Sequence, residues 1–169
     1  MTVAELDALA APTVRELLLA CCGAAPWMDG VMRARPWHDR AGLMAAAATA
    51  WSALEPGELA AAVARHPRLG GTQAAVELSA RERRWSAAEQ AGAGAADDTA
   101  RDALAAGNVE YERRFGHTFI LCAAGRSASD MLAALRARLA NDPATELAVT
   151  GAELWKITLS RLEKLLAGA

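Results

Sequence analysis

At 169 residues the chain is the size of one domain and long enough to bury most of its apolar surface in a single core. A hydrophobic fraction of 53%, much of it alanine, beside a charged fraction of 22% excludes a disordered chain. The formal charge of −2 excludes a polyanion-binding surface, so no nucleic-acid partner is expected.

Met1-Thr2-Val3-Ala4-Glu5-Leu6-Asp7 carries neither the basic start nor the apolar run of a signal peptide. No stretch approaches about eighteen uninterrupted apolar residues, so no membrane partner is expected. The spacing predicts a first helix over 12–22, where Pro12 suits the first turn and Gly23 a stop, and a second over 27–35, ending before Pro36. Cys21, Cys22 and Cys122 are odd in number and lack metal-ligand spacing, which points to reduced thiols in the cytoplasm. A third helix is expected over 40–54 and a fourth over 56–66, closed by Pro67 and the Leu69-Gly70-Gly71 turn.

After the polar stretch Arg81-Glu82-Arg83-Arg84, Ser86 reads as the cap of a short segment, and Asp97 or Asp98 as the start of a long helix to Phe115, with Gly116 beyond it. Residues 91–96 form a weak joint between the two. The run Phe119-Ile120-Leu121-Cys122-Ala123, bounded by Gly116 and Gly125, reads as an extended buried segment. Ser127-x-x-Asp130 opens a helix to about Ala140, and Pro143 opens the last one, to about Leu166. Helical spacing throughout, without hairpin signals or repeats, gives an all-α fold: one compact bundle-like domain over residues 1–169 with seven to eight helices.

Polar groups on apolar stripes are the candidates for chemistry. Leu59, Val63 and His66 are spaced i, i+4, i+7, so His66 projects from a core-facing stripe. At a helix C-terminus the dipole favours its protonated form and burial opposes it. A proton-transfer group and a core histidine bonded to a carbonyl both fit that position. Leu154, Ile157, Arg161 and Leu165 likewise share one face, and a guanidinium there needs either an internal carboxylate or a bound anion. Ser86-x-x-Glu89 is compatible with a helix-capping box as well as with a site, whereas Gln90 is not explained by a box. The scattered His38, His66 and His117 form no metal-binding motif, so no metal is expected.

Several motifs in order carry a further reading. They are His66-Pro67 with Leu69, Ser86-x-x-Glu89-Gln90-Ala91-Gly92-Ala93-Gly94, Asn108-x-x-Tyr111-x-x-Arg114-Phe115-Gly116, Phe119-Ile120 and Arg161-Leu162. Cys22-Gly23 with Trp27, Arg35-Pro36 and Asn141-Asp142-Pro143 accompany them. In these, over nearly its whole length, the chain resembles the 2-oxo-4-hydroxy-4-carboxy-5-ureidoimidazoline (OHCU) decarboxylases.

The resemblance implies an all-helical, usually homodimeric enzyme of urate degradation that converts OHCU to (S)-allantoin and carbon dioxide without a cofactor. It implies His66 as the catalytic acid with Glu89 as its partner. Pro67, Ser86, Gln90, Phe119, Ile120, Leu121, Cys122, Ala123 and Arg161 would contact the substrate. Two positions depart from the family pattern: Arg68 stands where an acidic residue is common, and His117-Thr118 where an aromatic-proline pair is common. The only lysines, Lys156 and Lys164, lie outside the matched positions, in keeping with a reaction that needs no Schiff base. An enzyme acting on another ureido or imidazolone acid, and a non-catalytic helical scaffold, are the other two readings open to the sequence.

Overall fold

A computed structural model of the chain describes residues 1–69, 78–91 and 98–167, and most of these are helical, with no strand among them. The helices are α1 (Val3–Ala8), α2 (Ala11–Cys22), α3 (Ala25–Arg33), α4 (Arg40–Ser52), α5 (Pro56–Ala64), α6 (Ala80–Glu89), α7 (Asp98–Phe115), α8 (Ala128–Arg138) and α9 (Pro143–Ala167). Helix α1 lies where no element is expected from the sequence. Its six residues are too few for an apolar stripe to show, but Thr2 and Glu5 close a capping box over its first turn.

Local signals set most of the other ends. Gly23 ends α2 in the left-handed region at φ 79°, its N–H donating to the Leu19 carbonyl at 2.7 Å. Gly116 closes α7 in the same way, at φ 74°. Ser127 and Asp130 form the expected box at the start of α8.

Helix α6 starts earlier than Ser86. Within residues 79–89 Ser-x-x-Glu occurs twice, seven residues apart, and the first copy forms the box: the Ser79 N–H donates to Glu82 at 2.7 Å and the Glu82 N–H to the Ser79 hydroxyl at 3.2 Å. That box satisfies two amide donors at the helix start, and the charged stretch 81–84 becomes the first turn and a half. Ser86 and Glu89 therefore lie inside α6, in its last turn, and Ser86 does not cap it. The expected Gly70-Gly71 turn, Gly92 to Gly94 and Asp97 lie outside the described residues.

The contacts group the chain into two compact units. The first holds residues 1–62 and the end of α9 from Trp155. Its core includes Leu6, Val14, Leu18, Trp27, Val31, Trp37, Leu43 and Leu162. The indole N–H groups of Trp27 and Trp37 donate to the carbonyls of Ala47 (3.1 Å) and Val31 (3.0 Å), so both rings are buried with their polar atoms satisfied. Arg161 belongs to this unit, is 3% exposed, and donates to the carbonyl of Ala20 at 3.3 Å.

At Gly42, in the first turn of α4, an added Cβ would overlap the carbonyl oxygen of Trp37, a backbone atom that cannot step aside as a side chain can. Gly42→Ala is therefore expected to destabilise the protein by about 1–3 kcal/mol despite alanine's better helix propensity. A urea midpoint equal to or above that of the unaltered protein would contradict this packing.

The second unit covers residues 63–154. Its core gathers Leu69, Leu104, Tyr111, Phe119, Leu121, Ala123, Met131 and Leu135 from α7, α8 and the connecting segments.

Candidate active site

His66 follows the end of α5, its N–H donating to the Val63 carbonyl at 3.0 Å, and is 8% exposed. The stripe that predicted this has Val63 buried and Leu59 half-buried. Pro67 turns the chain away and is half-buried itself.

Three residue pairs then fix the chain on either side of His66. Arg65 reaches Glu82 of α6 at 3.4 Å; the Arg68 guanidinium donates to Glu112 of α7 from Nε at 2.6 Å and from a second nitrogen; and the Asn108 amide of α7 donates to the Leu69 carbonyl at 2.9 Å. Glu82 is buried, which makes its pairing with Arg65 more than a surface contact. The arginine that departs from the family pattern at position 68 is thus occupied by a carboxylate three residues before Phe115.

Helix α6 carries the next group. Ser86 is buried, Glu89 half-buried, and Gln90 is the C-cap, its N–H donating to the Ser86 carbonyl at 3.0 Å. Positions i, i+3 and i+4 on a helix are neighbours on one face, so these three polar side chains share a single turn. Glu82 precedes Ser86 by one turn on that face, so the Arg65–Glu82 pair ties the residue before His66 to the helix bearing Ser86, Glu89 and Gln90.

Residues 119–123 connect α7 to α8 without forming helix or strand. Phe119, Ile120, Leu121 and Ala123 are buried and Cys122 is half-buried, as expected of an apolar wall. The backbone of this segment is held from outside it. Arg138 of α8 donates to the Ile120 carbonyl at 2.6 Å, Glu153 of α9 accepts from the Cys122 N–H at 2.9 Å, and Arg126 Nε donates to the Cys122 carbonyl at 3.1 Å.

Behind the segment lies a buried polar network. Arg138 Nε donates to Glu146 at 2.8 Å and another of its nitrogens to the Thr150 hydroxyl at 2.9 Å, while its guanidinium stacks on Phe119, 4.6 Å from the ring centre. The Tyr111 hydroxyl donates to Glu146, and the Asn141 amide donates to the second Glu146 oxygen at 2.7 Å. Burial works to raise the Glu146 pKa, but the hydrogen bonds from Arg138, Tyr111 and Asn141 outweigh it and hold the carboxyl below its usual range. Burial, then the bond to Glu146, pushes the Tyr111 hydroxyl well above its own. His117 packs its ring edge-on to Tyr111, with centroids 5.5 Å apart, so this second departure from the family pattern extends the aromatic wall of the network.

Arg138, Glu146, Thr150 and Glu153 are absent from the residues singled out in the sequence. Met131, Leu135 and Arg138 repeat the i, i+4, i+7 pattern that singled out His66, and that signal would have found Arg138. The polar stripe Glu146, Thr150 and Glu153 on α9 reads as a solvated face until its partners are known. Elsewhere, no disulfide joins the three cysteines, and burial pushes the Cys22 thiol up to about 11, which keeps it protonated at neutral pH.

In chemical terms the second unit brings an imidazole, a turn bearing a hydroxyl, a carboxylate and an amide, and a rigid apolar segment into one compact body. Proton transfer and amide recognition are both within the reach of that set.

Comparison with known proteins agrees with the motifs. A family model described as OHCU decarboxylase matches residues 7–163. The "Uric acid degradation bifunctional protein TTL" of Arabidopsis thaliana is 32% identical over 146 residues, which make up 86% of this chain and 45% of that protein, so the chain spans less than half the length of this curated relative. A crystal structure of OHCU decarboxylase in the presence of (S)-allantoin is 27% identical, with a TM-score of 0.77 over 90% of this chain and 98% of its own. A crystal structure of (S)-allantoin synthase shares the fold at 18% identity, with a TM-score of 0.72 over 97% of this chain and 54% of its own.

Proposed function

The chain belongs to the OHCU decarboxylase family, and we propose that it converts OHCU to (S)-allantoin and carbon dioxide, without a cofactor, as a cytoplasmic homodimer. The observation that carries the reading is the tethering of residues 65–69 to α6 and α7, which holds His66 in the same unit as Ser86, Glu89, Gln90 and the 119–123 segment.

OHCU carries a hydroxyl and a carboxylate on one ring carbon, beside a C=N whose carbon bears the ureido group. When the bond to the carboxylate breaks, its electron pair forms a double bond to the neighbouring ring carbon, and the C=N pair moves onto nitrogen, which takes a proton. Carbon dioxide leaves and an enol remains. A proton delivered to the ureido-bearing carbon, with loss of the hydroxyl proton, gives the ketone of allantoin. The substrate is its own electron sink, so neither pyridoxal nor thiamine is called for.

His66, with Glu89 as its partner, delivers the proton to one face of the enol and thereby sets the (S) hand. Ser86 and Gln90 orient the ureido and ring amides, with Pro67 beside them. The buried 119–123 segment keeps water from the departing carboxylate, where exclusion of solvent strengthens each polar contact.

The test generates OHCU in situ from urate with an oxidase and a hydrolase, adds this protein, and follows allantoin by circular dichroism. Rapid growth of the (S) signal is expected. Racemate forming at the background rate would overturn the assignment and turn attention to other ureido acids as substrates.

A further inference from the structure

We propose that Arg138 and Glu153 are positioning residues for this reaction, holding the backbone of the 119–123 segment in the register that the substrate meets. The proposal rests on the reading above that this segment contacts substrate. Two side chains from different helices seize alternate points of one short stretch: Arg138 takes the Ile120 carbonyl at 2.6 Å and Glu153 the Cys122 N–H at 2.9 Å. Leu121 lies between the anchors, and among the described residues no hydrogen bond reaches its backbone.

Neither anchor is an ordinary element of a helix bundle. Arg138 and Glu153 are both buried, and a buried charge is retained only where it is fully engaged. Arg138 uses its fork to bind the Ile120 carbonyl and Glu146 at once, so the segment is referenced to a carboxylate that Tyr111 and Asn141 hold in turn. A lysine has no second prong to do this. Glu153 provides a charged acceptor to the Cys122 amide, a stronger bond than a neutral acceptor gives. An irregular segment has no ladder of its own to fix its carbonyls and amides. Displacement of a substrate-facing backbone by even one ångström is costly, and these two side chains replace the missing ladder.

The experiment compares Glu153→Gln, which keeps an acceptor for the Cys122 N–H, with Glu153→Leu, which removes it at similar size. Folding is checked by thermal melts. KM and kcat are measured on OHCU generated in situ, and (S)-allantoin is titrated into isotope-labelled protein while the amides of Ile120, Leu121 and Cys122 are followed by NMR.

The glutamine variant, which keeps an acceptor but not the charge, is expected to fall between the unaltered protein and the leucine variant. The leucine variant is expected to raise KM about tenfold, the loss of one charge-assisted bond, with a smaller change in kcat and weaker amide responses. A folded leucine variant with unchanged KM and kcat overturns the proposal. So does a glutamine variant as impaired as the leucine one, since a retained acceptor for the Cys122 N–H would then count for nothing. If those amides ignore (S)-allantoin in the unaltered, active protein, the premise that the segment meets the ligand fails, and the proposal with it. Should the leucine variant not fold, Arg138→Lys carries the same test at the other anchor: a raised KM with kcat largely kept supports positioning, and an unchanged KM refutes it.

Discussion

Replacing His66 with alanine is expected to lower the rate of (S)-allantoin formation by about 10² to 10⁴, the usual worth of a positioned acid or base, and to leave product that is largely racemic. The stereochemical part of this result is the sharper one. OHCU loses carbon dioxide unaided, so a site that only bound the substrate could still hasten its decay. Handedness requires a proton delivered from one side.

His66 is suited to that task by its placement rather than by its residue type alone. It is 8% exposed, lies one turn past the last bonded carbonyl of α5, and is followed by a proline that stops the backbone from continuing as helix. Arg65 and Leu69 on either side are each held by another helix, so the imidazole sits on a stretch with little freedom to wander. Those tethers do not involve the ring, so His66→Ala should still melt in one cooperative transition. His66→Gln, which keeps bulk and a hydrogen-bonding end but not an acid of suitable strength, is expected to be impaired to a similar degree. Retention of both rate and handedness in either folded variant would remove His66 from the mechanism.

The parts of this arrangement legible in the sequence are those with local causes. Gly23 and the Ser127–Asp130 box fix helix ends through bonds spanning a few residues, and Pro143 does so through its fixed φ; the structure keeps all three boundaries. Ser86 shows the limit of that logic. Its Ser-x-x-Glu pattern is locally sound, but an identical one at Ser79 begins the helix first, and local pattern alone cannot rank two equal caps.

Burial of His66 and Arg161 follows from helical periodicity, because an apolar stripe predicts its own environment. The network behind the 119–123 segment is different in kind. Tyr111 and Glu146 are 35 residues apart, and Cys122 and Glu153 are 31 apart, so nothing within either helix announces the bond. The Asn108-x-x-Tyr111-x-x-Arg114 motif acquires its physical meaning only in the fold. Asn108 holds Leu69, Tyr111 holds Glu146, and Arg114 donates to the Asn141 carbonyl at 3.0 Å, three buttresses from one face of α7.

The second large effect is expected from Arg138→Met, which removes the cation of this network and leaves the Glu146 carboxylate buried without a counter-charge. Breaking a buried pair in this way costs about 3–5 kcal/mol. The loss should depend on pH in a definite direction. In the unaltered protein Glu146 is held below the ordinary carboxylate value of about 4.3, so its contribution is present above that pH and fades as pH falls through the folded value. Without Arg138, burial acts unopposed by that partner and raises the Glu146 pKa, so the variant instead loses stability as pH rises through the carboxylate range. The gap between the two proteins should accordingly be wide at neutral pH and narrow in acid.

Tyr111 adds an opposite limb. With its pKa raised, its contribution is complete below its ordinary value of about 10 and is lost only as strongly alkaline pH is reached. Urea titrations of the unaltered protein, Arg138→Met and the double variant Arg138→Met with Glu146→Leu, each at acidic and neutral pH, check the argument. The double variant should recover much of the loss, since two apolar residues need no partner and a lone buried carboxylate does. A single variant as stable as the parent at neutral pH, or a gap that widens in acid, would mean that Arg138 and Glu146 do not hold one another as charged partners. The double variant also separates stability from function: it should fold yet still lack the guanidinium that holds the Ile120 carbonyl, so its KM should stay raised after its stability has returned.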